Sequence, residues 1–332
     1  MKNCMMLMAA LALFILPGCG PVMHPPPGIP IAAGDLLGAV RGNVRAEQRS
    51  AVLDVTVSDL PLVPRKEVDY LSGVVVLCDQ HEGANAWDDQ RRTRQAVGLN
   101  YEHIISTYPD ARNDKSPRRG YYPATLNADG SVTLTRARAD EPWGVSSTLT
   151  YTAVAPHYID FEFTATVHDA SQFGTARVAA FFFASYMRGV EDVNIHFRGI
   201  PSAEAPEQLV TSPSAPVSRT MIAVAAHSDG QNSSLPSVEW PRIAQPYYYG
   251  VAGGMVYGVM FDSLWTTTRE VRFTVVTMKD GGHHPAWDFS LVARELVDGS
   301  VVHLRGRMLW KPFVSPEDIA AEYASWRVAV RD

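Results

Sequence analysis

The sequence predicts an all-β protein, a large antiparallel β sandwich with one helix at its C-terminus. Long segments alternate apolar and polar residues with a period of two, which is the side-chain spacing of a strand. Glycine and proline are frequent, 24 and 23 of 332 residues, so the chain can make many turns. Near the C-terminus the pattern changes to helical periodicity. Hydrophobic residues make up 46% of the chain, which is enough for a large core.

Four strands are predicted in the central part of the chain, over residues 145–154, 158–168, 177–186 and 194–198. The second alternates for eleven residues, with Phe161 and Phe163 on one face and Asp160 and Glu162 on the other. The third is apolar on both faces, which indicates a central strand covered on both sides.

Turn residues between alternating segments predict hairpins at 127–130 and at 253–254, and further strands follow at 271–278, 289–293 and 301–310. We count about twelve to fourteen strands, and a sheet of that size curls into stacked sheets or a barrel. A helix is predicted over 315–329, with Ser315 as its N-cap and Pro316 at the first helical position. Its apolar face should dock on the sheet.

The N-terminus predicts export. Lys2 precedes an apolar segment of about a dozen residues, shorter than the ~20 that span a bilayer. The sequence Leu-Pro-Gly-Cys at 16–19 resembles a bacterial lipobox, in which Cys19 is acylated after cleavage. Pro17 is not the usual residue there, so ordinary secretory cleavage is the alternative. We therefore expect a lipoprotein signal peptide at 1–19, a Pro-rich tether at 20–45 and a single β-sandwich domain at 46–332. By resemblance to Gram-negative lipoproteins, Gly20 and not Asp after the cysteine implies an outer-membrane lipoprotein facing the periplasm or the cell surface.

Several classes of function have no support in the sequence. The net charge is −6 and no long basic segment is present, so we expect no nucleic-acid partner. The nucleotide-binding glycine motifs, the serine-hydrolase elbow and the usual zinc spacings are missing, so no cofactor and no metal are predicted. Beyond the leader and Cys19, Cys78 is the one remaining cysteine, which excludes a disulfide framework. The oligomeric state is left open.

Seven short patterns together resemble a family of uncharacterised exported bacterial lipoproteins related to the galactose-mutarotase-like super-sandwich. They lie at residues 99–104, 158–163, 183–187, 195–199, 247–250, 285–289 and 311–315. The resemblance covers roughly residues 50 to 330 and implies the super-sandwich fold with a concave sheet face that binds sugar. Mutarotases use a histidine and an acidic residue as acid and base, but the resemblance assigns no activity to this chain.

Four residues are predicted to be catalytic acids or bases. His103 follows Glu102, His196 lies in an apolar segment, and an imidazole titrates near neutral pH. Glu162 shares a strand face with Asp160 at about 6.6–6.8 Å, a separation at which two carboxylates can flank a glycosidic bond. Asp288 lies at the start of a predicted strand. The alternatives are a solvated strand face, core histidines and a turn-capping carboxylate.

Five residues are predicted to contact the substrate, the aromatic ones because aromatic rings stack on sugars. They are Arg118, Arg198, Trp287, Tyr186 and Tyr248. For the aromatic residues the alternative is core packing.

The sequence thus predicts an envelope protein that binds or processes carbohydrate, as a glycosidase, lyase or epimerase. A non-catalytic lipoprotein that binds glycan or protein, or an envelope scaffold, is the alternative. A catalytic role for the four acids and bases requires that they share one cleft.

Overall fold

A computed structural model describes sixteen segments of the chain, and the predicted leader and most of the tether lie outside them. The described residues are 45–49, 53–58, 73–79, 86–87, 98–106, 117, 123–138, 143–200, 206–212, 215–216, 221–226, 232–236, 242–263, 266, 268–277 and 284–331.

The described residues form nineteen strands and one α-helix. The strands are β1 (Arg45–Arg49), β2 (Leu53–Ser58), β3 (Gly73–Asp79), β4 (Asn100–Ser106), β5 (Ala124–Leu126), β6 (Val132–Arg136), β7 (Val145–Val154), β8 (Tyr158–Val167), β9 (Ala179–Ala184), β10 (His196–Ile200), β11 (Gln208–Thr211), β12 (Ala215–Pro216), β13 (Met221–Ala226), β14 (Asn232–Pro236), β15 (Arg242–Ala252), β16 (Met255–Phe261), β17 (Arg269–Thr277), β18 (Pro285–Ala293) and β19 (Val301–Pro312); the helix is α1 (Pro316–Arg331). The strand count exceeds the prediction because several strands have only two to five residues, too few for a clear alternation.

Two large sheets dominate the fold. The nine-stranded sheet has the order β11-β10-β15-β16-β19-β8-β7-β6-β5, and the five-stranded sheet has the order β12-β17-β18-β9-β4. Their strands pair antiparallel, except for the short parallel pair of β12 with β17. A three-stranded sheet (β1-β2-β3) and the β13–β14 pair complete the described strands. The predicted all-β antiparallel class with a C-terminal helix is therefore confirmed.

The two large sheets pack through an aromatic interior. Phe161 and Phe163 extend from β8, and Phe183 and Phe289 extend from β9 and β18. The Phe183 and Phe289 rings stack at 4.8 Å, and Phe163 meets Phe183 edge-on at 5.1 Å. Each buried phenylalanine contributes about 1.5–3 kcal/mol through loss of apolar surface from water. This interior fixes which face of every strand points outward.

Strands β8 and β9 are consecutive in the chain but belong to different sheets. A short 3-10 helix, Ala170–Phe173, lies in the connection between them. All six residues of β9 are buried, so the prediction of a strand covered on both faces is confirmed. Because the chain changes sheets here, the polar face of β8 and the outer face of β9 lie on opposite sides of the sandwich.

The helix α1 docks on the outer face of the nine-stranded sheet. Ile319 and Trp326 are buried there against Tyr247, Tyr249 and Leu309. The Ser315 hydroxyl accepts the N–H of Asp318 at 3.2 Å, as expected of an N-cap. Among the described residues, no helix combines the length and the apolar character that crossing a membrane requires.

Candidate active site

A cluster of polar side chains lies on the outer face of the five-stranded sheet. We call it the acid cluster and define it as Glu102 and His103 of β4, Tyr186 after β9, and Asp288 of β18. Glu102 and Asp288 are 3% and 1% exposed, so both carboxyl groups are removed from bulk water. Burying carboxyl groups is costly unless they are hydrogen-bonded or protonated, and the contacts of the cluster show how this cost is met.

A β-bulge places the first two members. Tyr101 pairs with Phe183 and His103 pairs with Phe182, so Glu102 is an extra residue on β4. Tyr101 points into the interior, where its ring stacks on Phe183 at 5.3 Å. His103 points to the outer face, with its ring 5.9 Å from that of Phe182. The bulge therefore interrupts the alternation and brings two adjacent polar side chains to one site.

Among the described residues, the side chains of His103, Tyr186 and Asn100 contact the Glu102 carboxyl. Its Oε1 lies 3.1 Å from Nε2 of His103. Its Oε2 accepts the Tyr186 hydroxyl at 2.6 Å and the Asn100 amide at 3.4 Å. These contacts satisfy an ionised carboxylate, because every donor faces the charged form.

The surroundings of Asp288 favour its neutral form, whereas those of Glu102 favour its ionised form. The side chains of β18 alternate, so Trp287 enters the interior and Asp288 faces outward. Burial raises the pKa of the Asp288 carboxyl well above its ordinary value, and the negative charge of Glu102 raises it further. The backbone N–H of Ser185, which donates to Oδ1 of Asp288 at 3.3 Å, lowers the pKa by a smaller amount. Both burial and the charge of Glu102 therefore favour the neutral acid form of Asp288 over the carboxylate.

The contact with Glu102 selects one tautomer of the His103 imidazole. A carboxylate oxygen beside Nε2 favours the hydrogen on that nitrogen and leaves Nδ1 with the lone pair that can accept a proton. The His103 side chain is 17% exposed, against 4% for Glu102, so the imidazole is the member of the pair that a ligand can reach. Chemically, the arrangement is a base oriented by a buried carboxylate.

Three of the predicted site residues lie on the other side of the sandwich. Glu162 faces outward from β8 and pairs with His303 at 2.9 Å. His196 and Arg198 face outward from β10, where Nδ1 of His196 lies 3.0 Å from the Thr211 hydroxyl. Burial lowers the pKa of His196, and Asp192 raises it by less. The structure thus brings His103 and Asp288 together, but it does not bring them together with His196 and Glu162.

The remaining predicted substrate contacts, and the predicted lipidation site, do not lie together. Tyr186 belongs to the acid cluster. Trp287 and Tyr248 are fully buried between the sheets, which favours the packing alternative for both. Arg118 and Cys19 lie outside the described residues.

Sequence analysis did not select Glu102 as a site residue, although it is the centre of the cluster. The available signal was the adjacent polar pair at 102–103 between Tyr101 and Ile104, which breaks a period of two and is typical of a bulge. Within the described ranges, no three His, Cys, Asp or Glu side chains are grouped so that they could hold a metal ion.

Comparisons with known proteins give distant structural likeness. No protein-family model matches the sequence, and a search of curated proteins finds no match. Among solved structures, the chain is similar to a galactose mutarotase related enzyme from Lactobacillus acidophilus, with 8% identity, a TM-score of 0.45 and coverage of 82% of this chain and 100% of that one. A putative aldose 1-epimerase from Escherichia coli K12 shows 7% identity, a TM-score of 0.42 and the same coverage. A heparan sulfate lyase from Pedobacter heparinus shows 8% identity and a TM-score of 0.40; 81% of this chain matches 37% of the lyase.

Proposed function

We propose that this protein binds a saccharide at the outer face of the five-stranded sheet and acts on it by proton transfer through His103. The observation that carries the proposal is the contact of the His103 imidazole with the buried carboxylate of Glu102, 3.1 Å away. The saccharide part rests on the sequence resemblance to the mutarotase-like family. The proton-transfer part rests on the geometry of the acid cluster.

Opening of an aldose ring is the reaction that suits this cluster best. The anomeric O–H loses its proton to Nδ1 of His103 while the bond between C1 and the ring oxygen breaks and C1=O forms. The ring oxygen then takes the proton back from the imidazolium, so charge and atoms balance. Glu102 stabilises the imidazolium, as a buried carboxylate does for a catalytic histidine. Glycoside cleavage is less suited, because it requires two carboxyl groups that reach the substrate, and Glu102 and Asp288 are buried.

The proposal is tested by the rate of anomer exchange, followed by NMR or polarimetry on D-glucose, D-galactose and N-acetyl-D-glucosamine. Glu102→Gln and His103→Gln should each lower the rate by about 10²- to 10⁴-fold, the usual contribution of general acid–base catalysis. Glu162→Gln is the matched control, because it changes a carboxyl that also contacts a histidine but lies on the opposite sheet. Equal rates for all four proteins would refute the proposal.

Non-catalytic binding is the second candidate function. The near-complete burial of Glu102 and Asp288 favours it, because a buried carboxyl pair can serve to shape a binding surface without exchanging protons. Saccharide binding that Tyr186→Phe weakens, without any exchange of anomers, would be the outcome that supports this alternative.

We also propose that the chain is an exported lipoprotein of the outer membrane, on the evidence of the segment 1–19 and its lipobox-like end. Expression in a Gram-negative host should give a membrane-bound protein whose N-terminal peptide carries acyl chains on Cys19, detected by mass spectrometry. Cys19→Ser should give a form without acyl chains. An unmodified Cys19 in a mature membrane protein, or cleavage beyond it, would show ordinary secretion instead.

A further inference from the structure

Ser185 connects the acid cluster to the interior of the sandwich. It follows β9 and is 1% exposed. Its backbone N–H donates to Oδ1 of Asp288, and its carbonyl accepts the backbone N–H of Trp287 at 2.9 Å. Its hydroxyl accepts the backbone N–H of Leu99 at 3.0 Å and lies 2.8 Å from the hydroxyl of Tyr257. Ser185 therefore contacts β18 through its backbone, and through its hydroxyl it contacts Leu99, the residue that precedes β4.

Leu99 is held in an unusual backbone conformation. Its φ is +49°, in the left-handed region that a branched, buried side chain rarely adopts. The conformation is supported from both sides: Ser185 Oγ takes the N–H of Leu99, and the Tyr151 hydroxyl donates to its carbonyl at 2.5 Å. Such a conformation persists only where its surroundings determine it.

The position of Leu99 decides where Glu102 and His103 lie. Leu99 immediately precedes β4, and the amide of Asn100, the next residue, donates to Glu102. The bulge begins one residue later. A change in the path of Leu99 therefore moves the carboxylate relative to the imidazole, and a shift of 1 Å at a catalytic group can cost about 10²-fold in rate.

We propose that Ser185 is a positioning residue that sets the geometry of Glu102 and His103 through Leu99 and, through its backbone, that of Asp288. The inference rests on the proposed function, because it assigns Ser185 to the same acid–base site. Tyr151 supports it from the nine-stranded sheet by donating to the Leu99 carbonyl, so the interior of the sandwich helps to hold the site in place.

The test compares Ser185→Ala with Tyr257→Phe. Both remove one hydroxyl from the same hydrogen-bonded group, but only Ser185→Ala removes the partner of the Leu99 N–H. Amide hydrogen exchange at Leu99, measured by NMR, should rise at least about 100-fold in Ser185→Ala and change little in Tyr257→Phe. Anomer exchange on the fastest of the three aldoses should fall about tenfold or more in Ser185→Ala, and its pH–rate profile should move by about 0.5 pH unit or more. Tyr257→Phe should keep the rate within about twofold.

An unchanged pH–rate profile in Ser185→Ala, or equal effects in the two variants, would overturn the positioning role. Should Ser185→Ala fail to fold, Ser185→Cys, which replaces the hydroxyl acceptor of the Leu99 N–H with a weaker one of similar size, is judged by the same measurements. Failure of the proposed function is recognised differently, because Glu102→Gln would then leave the rate of anomer exchange unchanged.

In that case, ¹³C NMR titration of the Asp288 carboxyl tests the positioning role. A pH midpoint that shifts in Ser185→Ala and not in Tyr257→Phe supports the role, and equal midpoints in the two variants overturn it.

Discussion

Replacing Trp287 with alanine should lower the free energy of unfolding by about 3–5 kcal/mol, the usual cost of truncating a buried tryptophan. The indole is fully buried between the sheets and stacks on Tyr257 with 6.0 Å between centroids. Its Nε1–H donates to the carbonyl of Val193 at 2.9 Å. A Cβ at position 250 would lie 2.3 Å from the Trp287 ring, so the indole fits there only because residue 250 is glycine. Urea unfolding followed by circular dichroism measures the loss.

Trp287→Phe is the matched control. It keeps an aromatic ring in the cavity but removes the bond to Val193, so the expected loss is smaller, about 1–2 kcal/mol. The measurement also decides between the two roles that the sequence allows for Trp287. A loss below about 1 kcal/mol in Trp287→Ala, together with loss of saccharide binding, would identify the indole as a ligand contact rather than a core residue.

The fold class could be predicted because a period of two survives in most strands. Phe161 and Phe163 alternate with polar residues, so their burial can be predicted from the sequence alone. The hairpin at Gly253–Gly254 could be predicted for the same local reason, since both glycines adopt positive φ in the turn. The helix boundary was predictable from Ser315 and Pro316, whose capping role depends only on neighbouring residues.

The arrangement of the site depends on contacts that are distant in sequence. Alternation shows which residues share a face of one strand, but not which sheet the strand joins. From the sequence alone, His196 and Glu162 are therefore candidates equivalent to His103, although β8 and β10 belong to the nine-stranded sheet and β4 to the five-stranded one. Glu102 was not selected because its position depends on a bulge, which forms only when β4 pairs with β9. The bulge places Glu102 at the same site as His103.

Replacing Asp288 with asparagine should remove a pH-dependent loss of stability. In the native state, burial and the charge of Glu102 raise the pKa of Asp288, whereas in the unfolded chain this carboxyl ionises near pH 4. Above about pH 4, the native protein therefore holds a proton that the unfolded chain has released. Stability falls as pH rises from there towards the native pKa, by up to about 1.4 kcal/mol per pH unit.

Asparagine has nearly the same shape and no proton to release, so the difference in unfolding free energy between Asp288→Asn and the wild type should grow in favour of the variant from about pH 4 upward. Urea unfolding at one-unit intervals from pH 4 to pH 8 measures this difference and cancels the titrations that the two proteins share. Glu191→Gln, which removes an exposed carboxyl instead of a buried one, is the control variant. A difference for Asp288→Asn that stays flat with pH would mean that burial and the charge of Glu102 do not keep a proton on Asp288 in the native protein, and the acid cluster would then hold two ionised carboxylates side by side.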